Sequence, residues 1–305
     1  MLMKLDLISI LDVKDDLNDL LESSMRLKGG ALRNREPLRG KSLAMIFEKS
    51  STRTRVSFEV GMAQLGGHAL YLSPKDLQMG RGETTADTAK VLSRYVDAIM
   101  YRAFSHEVMQ ELAVNATVPV INALDDIEHP CQALADLMTI KEHKGEFEGK
   151  KLVYVGDGNN VCNSLMVGAA IVGMDFAAAC PKGYEPSDAL MKKATGLAKK
   201  NGSSFEIMAN PAEAAKGADV LYTDVWVSMG QEEETKERER IFKPYQINAG
   251  LLKKAKKDCI VMHCLPAHRG LEIAAEVMDG PRSVVFDQAE NRLHTEKAVL
   301  LMVMK

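Results

Sequence analysis

The sequence predicts an α/β protein of two domains, each a mainly parallel sheet flanked by helices, with a ligand site in the cleft between them. Three observations lead there. Short apolar runs alternate with amphipathic stretches of helical period along most of the chain. A charged, glycine-punctuated segment, residues 143–151, breaks this alternation and is followed by a fresh apolar run, as at a domain boundary. The length of 305 residues, with 46% hydrophobic content, suffices for two buried cores.

In chain order, strands are expected at 42–47, 69–72, 97–101, 118–122, 151–155, 175–179, 204–208, 219–223, 259–263 and 283–286. Helices are expected at 53–65, 85–94, 105–115, 131–143, 161–172, 188–200 and 271–278, with a last helix at 288–305. Residues 1–143 form the first expected domain, onto which 288–305 pack back, and 144–287 form the second. Residues 231–240 are almost wholly charged. They read as a solvated loop or helix end, or as a mobile lid beside the motif that precedes them.

Composition excludes several classes. A net charge of −3 gives no electrostatic reason for a nucleic-acid partner. No apolar run approaches the roughly 20 residues that span a bilayer. The first residues read as neither a secretory signal nor a transit peptide, so a cytoplasmic location is expected. Cys131, Cys162, Cys180, Cys259 and Cys264 are odd in number and irregularly spaced, which fits reduced thiols.

The chemistry concentrates where apolar runs give way to helices. Ser51-Thr52-Arg53-Thr54-Arg55 follows the run 43–47 and opens a helix. Helix N-termini carry unpaired N–H groups and the positive dipole end, so hydroxyls and guanidiniums added there suit a phosphate-sized anion. Arg102 ends the strand at 97–101. His129-Pro130-Cys131-Gln132 follows another run and opens the next helix. A histidine there can donate to a developing oxyanion, and a glutamine can serve an amide, although the histidine taken alone reads rather as a capping or core residue. Gly156-Asp157-Gly158-Asn159-Asn160 is a weak dinucleotide-type signal, since Val161 stands where the third glycine belongs. Asp224, followed by the chain's one tryptophan, Trp226, reads as a turn former or as the partner of a ligand ammonium. His263, Cys264 and His268 match no zinc-site spacing, and no metal is expected. Arg292, in Phe286-Asp287-Gln288-Ala289-Glu290-Asn291-Arg292, is a candidate to reach back to the anion site.

Taken together, these motifs resemble the aspartate/ornithine carbamoyltransferase family from about residue 40 to 297. The stretch 224–232, with His263-Cys264-Leu265-Pro266, is similar to the ornithine branch, whereas the aspartate branch typically carries Pro-Leu-Pro-Arg in the latter place. The resemblance implies that Ser51, Thr52, Arg53 and Thr54 hold the phosphate of carbamoyl phosphate. It implies that Arg102 bridges phosphate and carbonyl oxygens, that His129 donates to the carbonyl, and that Gln132 holds the carbamoyl amide. Cys264, Leu265 and Arg292 would line the carbamoyl group, and Gln78 would reach a neighbouring subunit's site. Arg102, His129, Gln132 and Cys264 are the implied catalytic set. Asn160, Asp224, Ser228 and Met229 would bind ornithine. A homotrimer or a multiple of trimers is implied, with no metal or organic cofactor. Many relatives carry histidine where this chain has Asn163, a residue behind the site, while Asn160 is retained.

The implied reaction gives L-citrulline and phosphate, and the same site chemistry serves arginine synthesis and citrulline breakdown. The rivals are a carbamoyltransferase for putrescine or aspartate, an inactive binding paralogue, and a nucleotide-dependent dehydrogenase resting only on Gly156 and Gly158.

Overall fold

The computed structural model describes residues 4–32, 35–79, 81–227 and 234–304. Two compact units result: Met1–Ala135 with Glu290–Lys305, and Asp136–Ala289. The first division point lies inside a helix, α5 (Pro130–Lys144). The boundary expected after residue 143 is at that helix's far end. The second lies inside α12 (Val285–Val303).

In the first unit, α1 (Leu17–Lys28) precedes β1 (Ser42–Phe47), α2 (Thr52–Gln64) and β2 (His68–Leu72). Then come α3 (Thr85–Leu92), β3 (Ala98–Arg102), α4 (His106–Asn115) and β4 (Val120–Leu124). The four strands are parallel in the order β2-β1-β3-β4. Apolar runs explain the central pair: β1 is buried from Leu43 to Phe47 and β3 throughout. The strand order reverses between β1 and β3, and at such a switch point the outgoing chains diverge and leave a crevice. Phe47 is in register with Arg102, so the loop to α2 and the Arg102 side chain leave the sheet at one edge. The β3–β4 register shifts between Tyr101 and Arg102, a local irregularity that redirects the strand end. The last part of α12 packs on α2, where Gly61 permits the approach: a Cβ there would stand 3.3 Å from Lys297 Cγ.

The second unit has β5 (Lys151–Val155), α6 (Asn160–Ile171), β6 (Asp175–Ala179), α7 (Asp188–Asn201), β7 (Phe205–Met208) and α8 (Pro211–Ala214). It continues with β8 (Val220–Thr223), α9 (Thr235–Phe242), α10 (Ala249–Leu252), β9 (Ile260–His263) and α11 (Ala275–Met278). The parallel order β7-β6-β5-β8-β9 is doubly wound, with its switch point between β5 and β8.

Three expectations need correction. Residues 283–286 form no strand: Ser283 makes a single bridge to Val261, and Val285 already begins α12. The apolar run Val284-Val285-Phe286 fits either state, and the exposure of Phe286 (70%) shows that only one face is buried. Of the helix expected at 271–278, only Ala275–Met278 is helical, because Ile273 bridges Ile247 and Arg269 instead. Helix α1 was not expected, although Leu17, Leu20, Leu21, Ser24 and Leu27 bury one face at helical spacing.

Candidate active site

The anion half is built at the β1/β3 switch point. Ser51, with extended backbone (φ −160°), caps α2 by accepting the Thr54 N–H at 3.2 Å. The first turn of α2 holds no acidic residue, so the positive end of its dipole is not neutralised locally. Thr52 is exposed and Arg53 half-buried, whereas Thr54 is fully buried. Arg55 is held elsewhere, paired with Glu59 at 3.1 Å and stacked 3.9 Å over the Tyr71 ring.

Buried Arg292 joins two of the motifs. Its guanidinium donates to Gln132 Oε1 at 2.8 Å and to Thr54 Oγ1 at 3.2 Å, and it pairs with Glu296 at 2.6 Å. Burial pushes the Glu296 carboxyl up to about 7, and Arg292 opposes that rise. Gln132 sits on the first turn of α5 and is 2% exposed. Just before it, buried Asp125 shapes the approach. Its carboxylate accepts the N–H groups of Ile127 and Glu128 at 2.8 and 2.7 Å and the Asn122 amide at 2.8 Å. That turn delivers His129 to the start of α5.

His129 is 5% exposed. Burial, then the charges of Arg292, Arg102 and Arg53, hold its pKa well below the usual histidine range. The ring is therefore a neutral imidazole at physiological pH, and that form can still donate one N–H. Lys49 adds to this cationic group. Burial lowers its pKa, and the Arg102 charge lowers it further. Sequence reasoning missed Lys49, although its place directly before Ser50-Ser51 was a signal. Gln78 stands apart, exposed in the loop after β2, its carbonyl accepting the Arg81 N–H at 2.8 Å.

The second unit assembles a different group at its own switch point. Asn159 caps α6, accepting the N–H groups of Val161 and Cys162, and its Nδ2 donates to Asp224 Oδ2 at 2.8 Å. Asp224 Oδ1 accepts the Cys264 thiol at 2.9 Å and the Val225 N–H at 2.8 Å. Burial, then Asp224, push the Cys264 pKa well up, so the sulfur stays protonated and acts as a donor. Leu265 has φ +60°, which costs a non-glycine residue about 1–3 kcal/mol. Its N–H is fixed by His263 Nδ1 at 2.9 Å, and His263 Nε2 donates to buried Glu272 at 3.0 Å. Buried Gln288 accepts the His263 N–H at 3.0 Å and donates to Asp136 at 2.7 Å. Asn160 opens α6 beside the Asn159 cap and is half-buried. Ser228 and Met229 lie outside the described residues. Asn159, Gln288 and Glu296 were missed because each works through a neighbour, which a motif does not reveal.

Asp224, His263 and Cys264 offer potential ligand atoms within 4.8 Å of one another. The set is nevertheless poor for a metal. Both ring nitrogens of His263 are engaged, and the Cys264 thiol keeps its proton while donating to the Asp224 carboxylate. Gly158 also has a plain role: a Cβ there would stand 2.3 Å from Pro186 N, so close approach of the 184–186 backbone requires glycine. Asn163, 4% exposed, accepts the Ser187 N–H at 2.9 Å and so ties α6 to the segment before α7.

Part of the charged segment, expected as a solvated loop or a lid, forms a helix. Residues 231–233 lie outside the described residues, but α9 follows them. Its Arg238 is 3% exposed, pairs with Asp157, and donates to the Trp226 carbonyl at 2.6 Å. The guanidinium also lies 5.0 Å from the Tyr184 ring centre.

Residues 5–142 match the family domain described as "Aspartate/ornithine carbamoyltransferase, carbamoyl-P binding domain", and residues 148–303 match its "Asp/Orn binding domain". The chain belongs to the aspartate/ornithine carbamoyltransferase family. It is 59% identical over 300 residues to an ornithine carbamoyltransferase of Methanosphaera stadtmanae, covering 98% of this chain and 99% of that one. It is 57% identical over 297 residues to a catabolic ornithine carbamoyltransferase of Thermoplasma volcanium, covering 97% of both. The solved ornithine carbamoyltransferase of Pyrococcus furiosus superposes with a TM-score of 0.96 at 56% identity, covering 99% of this chain and 98% of that one. Ser51–Thr54, Arg102, His129 and Gln132 therefore lie in the carbamoyl-phosphate half of a carbamoyltransferase, and the Asp224 group, with Arg292 and Glu296, lies in the range of its amino-acid half.

Proposed function

We propose the division of labour by which this chain carries the carbamoyl group of carbamoyl phosphate to the δ-amine of L-ornithine. The leaving phosphate is held by Ser51, Thr52, Arg53 and Thr54 at the start of α2, where helix donors and a guanidinium supply fixed positive charge. Arg102 bridges the phosphate and the carbonyl oxygen. His129 donates its single N–H to that oxygen as the tetrahedral intermediate forms. A neutral imidazole suits this task, because it stabilises developing charge without giving up a proton. Gln132 orients the carbamoyl amide, and Arg292 fixes Gln132 and Thr54 relative to each other.

Ornithine is held by Asn160, Asp224, Ser228 and Met229, with Asp224 facing the α-ammonium. Cys264, kept as a thiol, and Leu265 border the reacting nitrogen. That amine must be neutral to attack. With an ordinary pKa near 10.4, only about a few in ten thousand molecules are neutral at pH 7. Selecting that form, and holding the two reactants at about 3–3.5 Å, can supply roughly 7–11 kcal/mol of the barrier reduction. The amine proton is lost, phosphate departs, and citrulline remains. No metal or organic cofactor is required by these steps.

The single observation that carries this reading is the Arg292 guanidinium, bonded at once to Gln132 on the first turn of α5 and to Thr54 on the first turn of α2. We infer a homotrimer from the family resemblance, with Gln78 reaching a neighbouring subunit's donor. No helix among the described residues is long and apolar enough to cross a membrane, in keeping with a cytoplasmic enzyme. The test is phosphate release from carbamoyl phosphate with ornithine, putrescine or aspartate as acceptor, with citrulline identified as the product from ornithine. Turnover with ornithine at least about a hundredfold above the other two is expected, and equal turnover with putrescine would overturn the acceptor assignment.

A further inference from the structure

The first unit contains a cavity of about 660 Å³ that the reaction does not use, within the size range of small-molecule sites. One wall is the C-terminal end of α2 (Ala63, Gln64, Leu65), and another is α12 (His294, Lys297). Leu27, Lys28, Gly30, Leu32, Arg35 and Glu36 complete it. Its charges are unequal: Lys28, Arg35 and Lys297 face one carboxylate, Glu36.

Lys297 is the unusual member. It is 6% exposed, its stem lies against Gly61, and its ammonium donates to Gln64 Oε1 at 2.9 Å. Among the described residues it has no carboxylate partner. Buried ammonium groups are costly unless paired with an anion, because an amide oxygen does not compensate a full charge. Burial accordingly lowers the Lys297 pKa. His294 adds a neutral ring, since burial lowers its pKa too. Leu27 and Leu65 supply apolar surface. Among the described residues Lys297 is the one buried cation here, Lys28 being half-buried and Arg35 exposed, and that favours a single negative charge over a phosphate dianion.

We propose that this cavity is a second binding site, for a small organic carboxylate whose anionic end pairs with Lys297 and whose apolar body rests on Leu27 and Leu65. Both α2 and α12 also carry donor-site residues, Thr54 and Arg292, so an occupant would sit against the supports of that site without touching it.

The probe is 4-iodobenzoate, which carries a carboxylate, an apolar body and an anomalous scatterer. Crystals of the full chain soaked with it are expected to show an iodine peak in the cavity. By calorimetry, Lys297→Met, which keeps the stem and removes the charge, is expected to weaken binding at least tenfold. Arg53→Ala is expected to leave that binding intact, and inorganic phosphate is expected not to displace the probe. An iodine peak only at the start of α2, equal affinity in wild type and Lys297→Met, or no binding at all would each overturn the proposal. The wild-type soak decides the matter even where the variant does not fold.

Discussion

Arg292 donates to Gln132 across 2.8 Å, although 160 residues separate the two in sequence. The same guanidinium bonds Thr54 and pairs with Glu296, so one side chain from α12 fixes residues from α2 and α5. Arg292→Ala is expected to destabilise the protein by about 1–3 kcal/mol, because it leaves the buried Glu296 carboxyl, Gln132 and Thr54 without their shared donor. Replacing both, as Arg292→Met with Glu296→Met, should restore most of that stability. It should not restore kcat/KM, which is expected to stay about a hundredfold or more below wild type. Denaturant melts and steady-state rates on the same samples separate the two effects.

His129→Gln retains a neutral donor of different reach. Its kcat is expected to fall about 10²–10³-fold. The shape of its pH–rate profile should match that of wild type, because the native imidazole is held neutral by burial and three arginines. An acid limb present in wild type and absent from the variant would show that His129 titrates during catalysis.

Asp224→Asn keeps the size of the side chain and removes its charge, leaving Asn159 and Cys264 as donors without their carboxylate acceptor. The KM for ornithine is expected to rise at least about tenfold, the loss of one charge-assisted hydrogen bond. Carbamoyl phosphate affinity, measured by calorimetry, should be unchanged. Equal losses for both substrates would contradict the assignment of separate binding groups.

Arg238→Met removes the cation that pairs with Asp157 and bonds the Trp226 carbonyl. Amide hydrogen exchange across Thr235–Phe242 is expected to accelerate, with the remaining helices unaffected. Unchanged protection of α9 would mean that its packing through Phe242 suffices.

His106 gives a pH dependence of known sign. Its hydrogen bond to Asp125, 2.6 Å long, raises its pKa above 6.5, with burial opposing. A raised pKa in the folded state means that the stabilisation is complete below the unfolded value and is lost as pH rises through the folded one. The destabilisation caused by His106→Ala should therefore be largest near about pH 6 and shrink in alkaline solution. A pH-independent difference in denaturant midpoints would show that the pair contributes no charge.

The strands were legible because buried parallel strands are short apolar runs, and β1, β5 and β6 fall where the pattern sets them. The site was legible where its residues cluster in sequence, as at Ser51–Thr54 and at His129 and Gln132. It was obscure where a residue acts through another. Glu296 carries no motif and holds Arg292, Asn159 looks like a turn residue and supports Asp224, and Arg238 lies hidden in a run of charges that reads as solvated. Residues 283–286 misled because a short apolar run cannot distinguish a strand from the first turn of a helix.

The most direct test is a crystal structure with a stable phosphonate analogue of carbamoyl phosphate. The phosphonate should lie on the N–H groups and hydroxyls at the start of α2 with Arg53 beside it, and the carbonyl oxygen should lie within hydrogen-bond distance of Arg102 and His129. An analogue bound elsewhere, or seated at α2 with its carbonyl turned away from His129, would contradict the account.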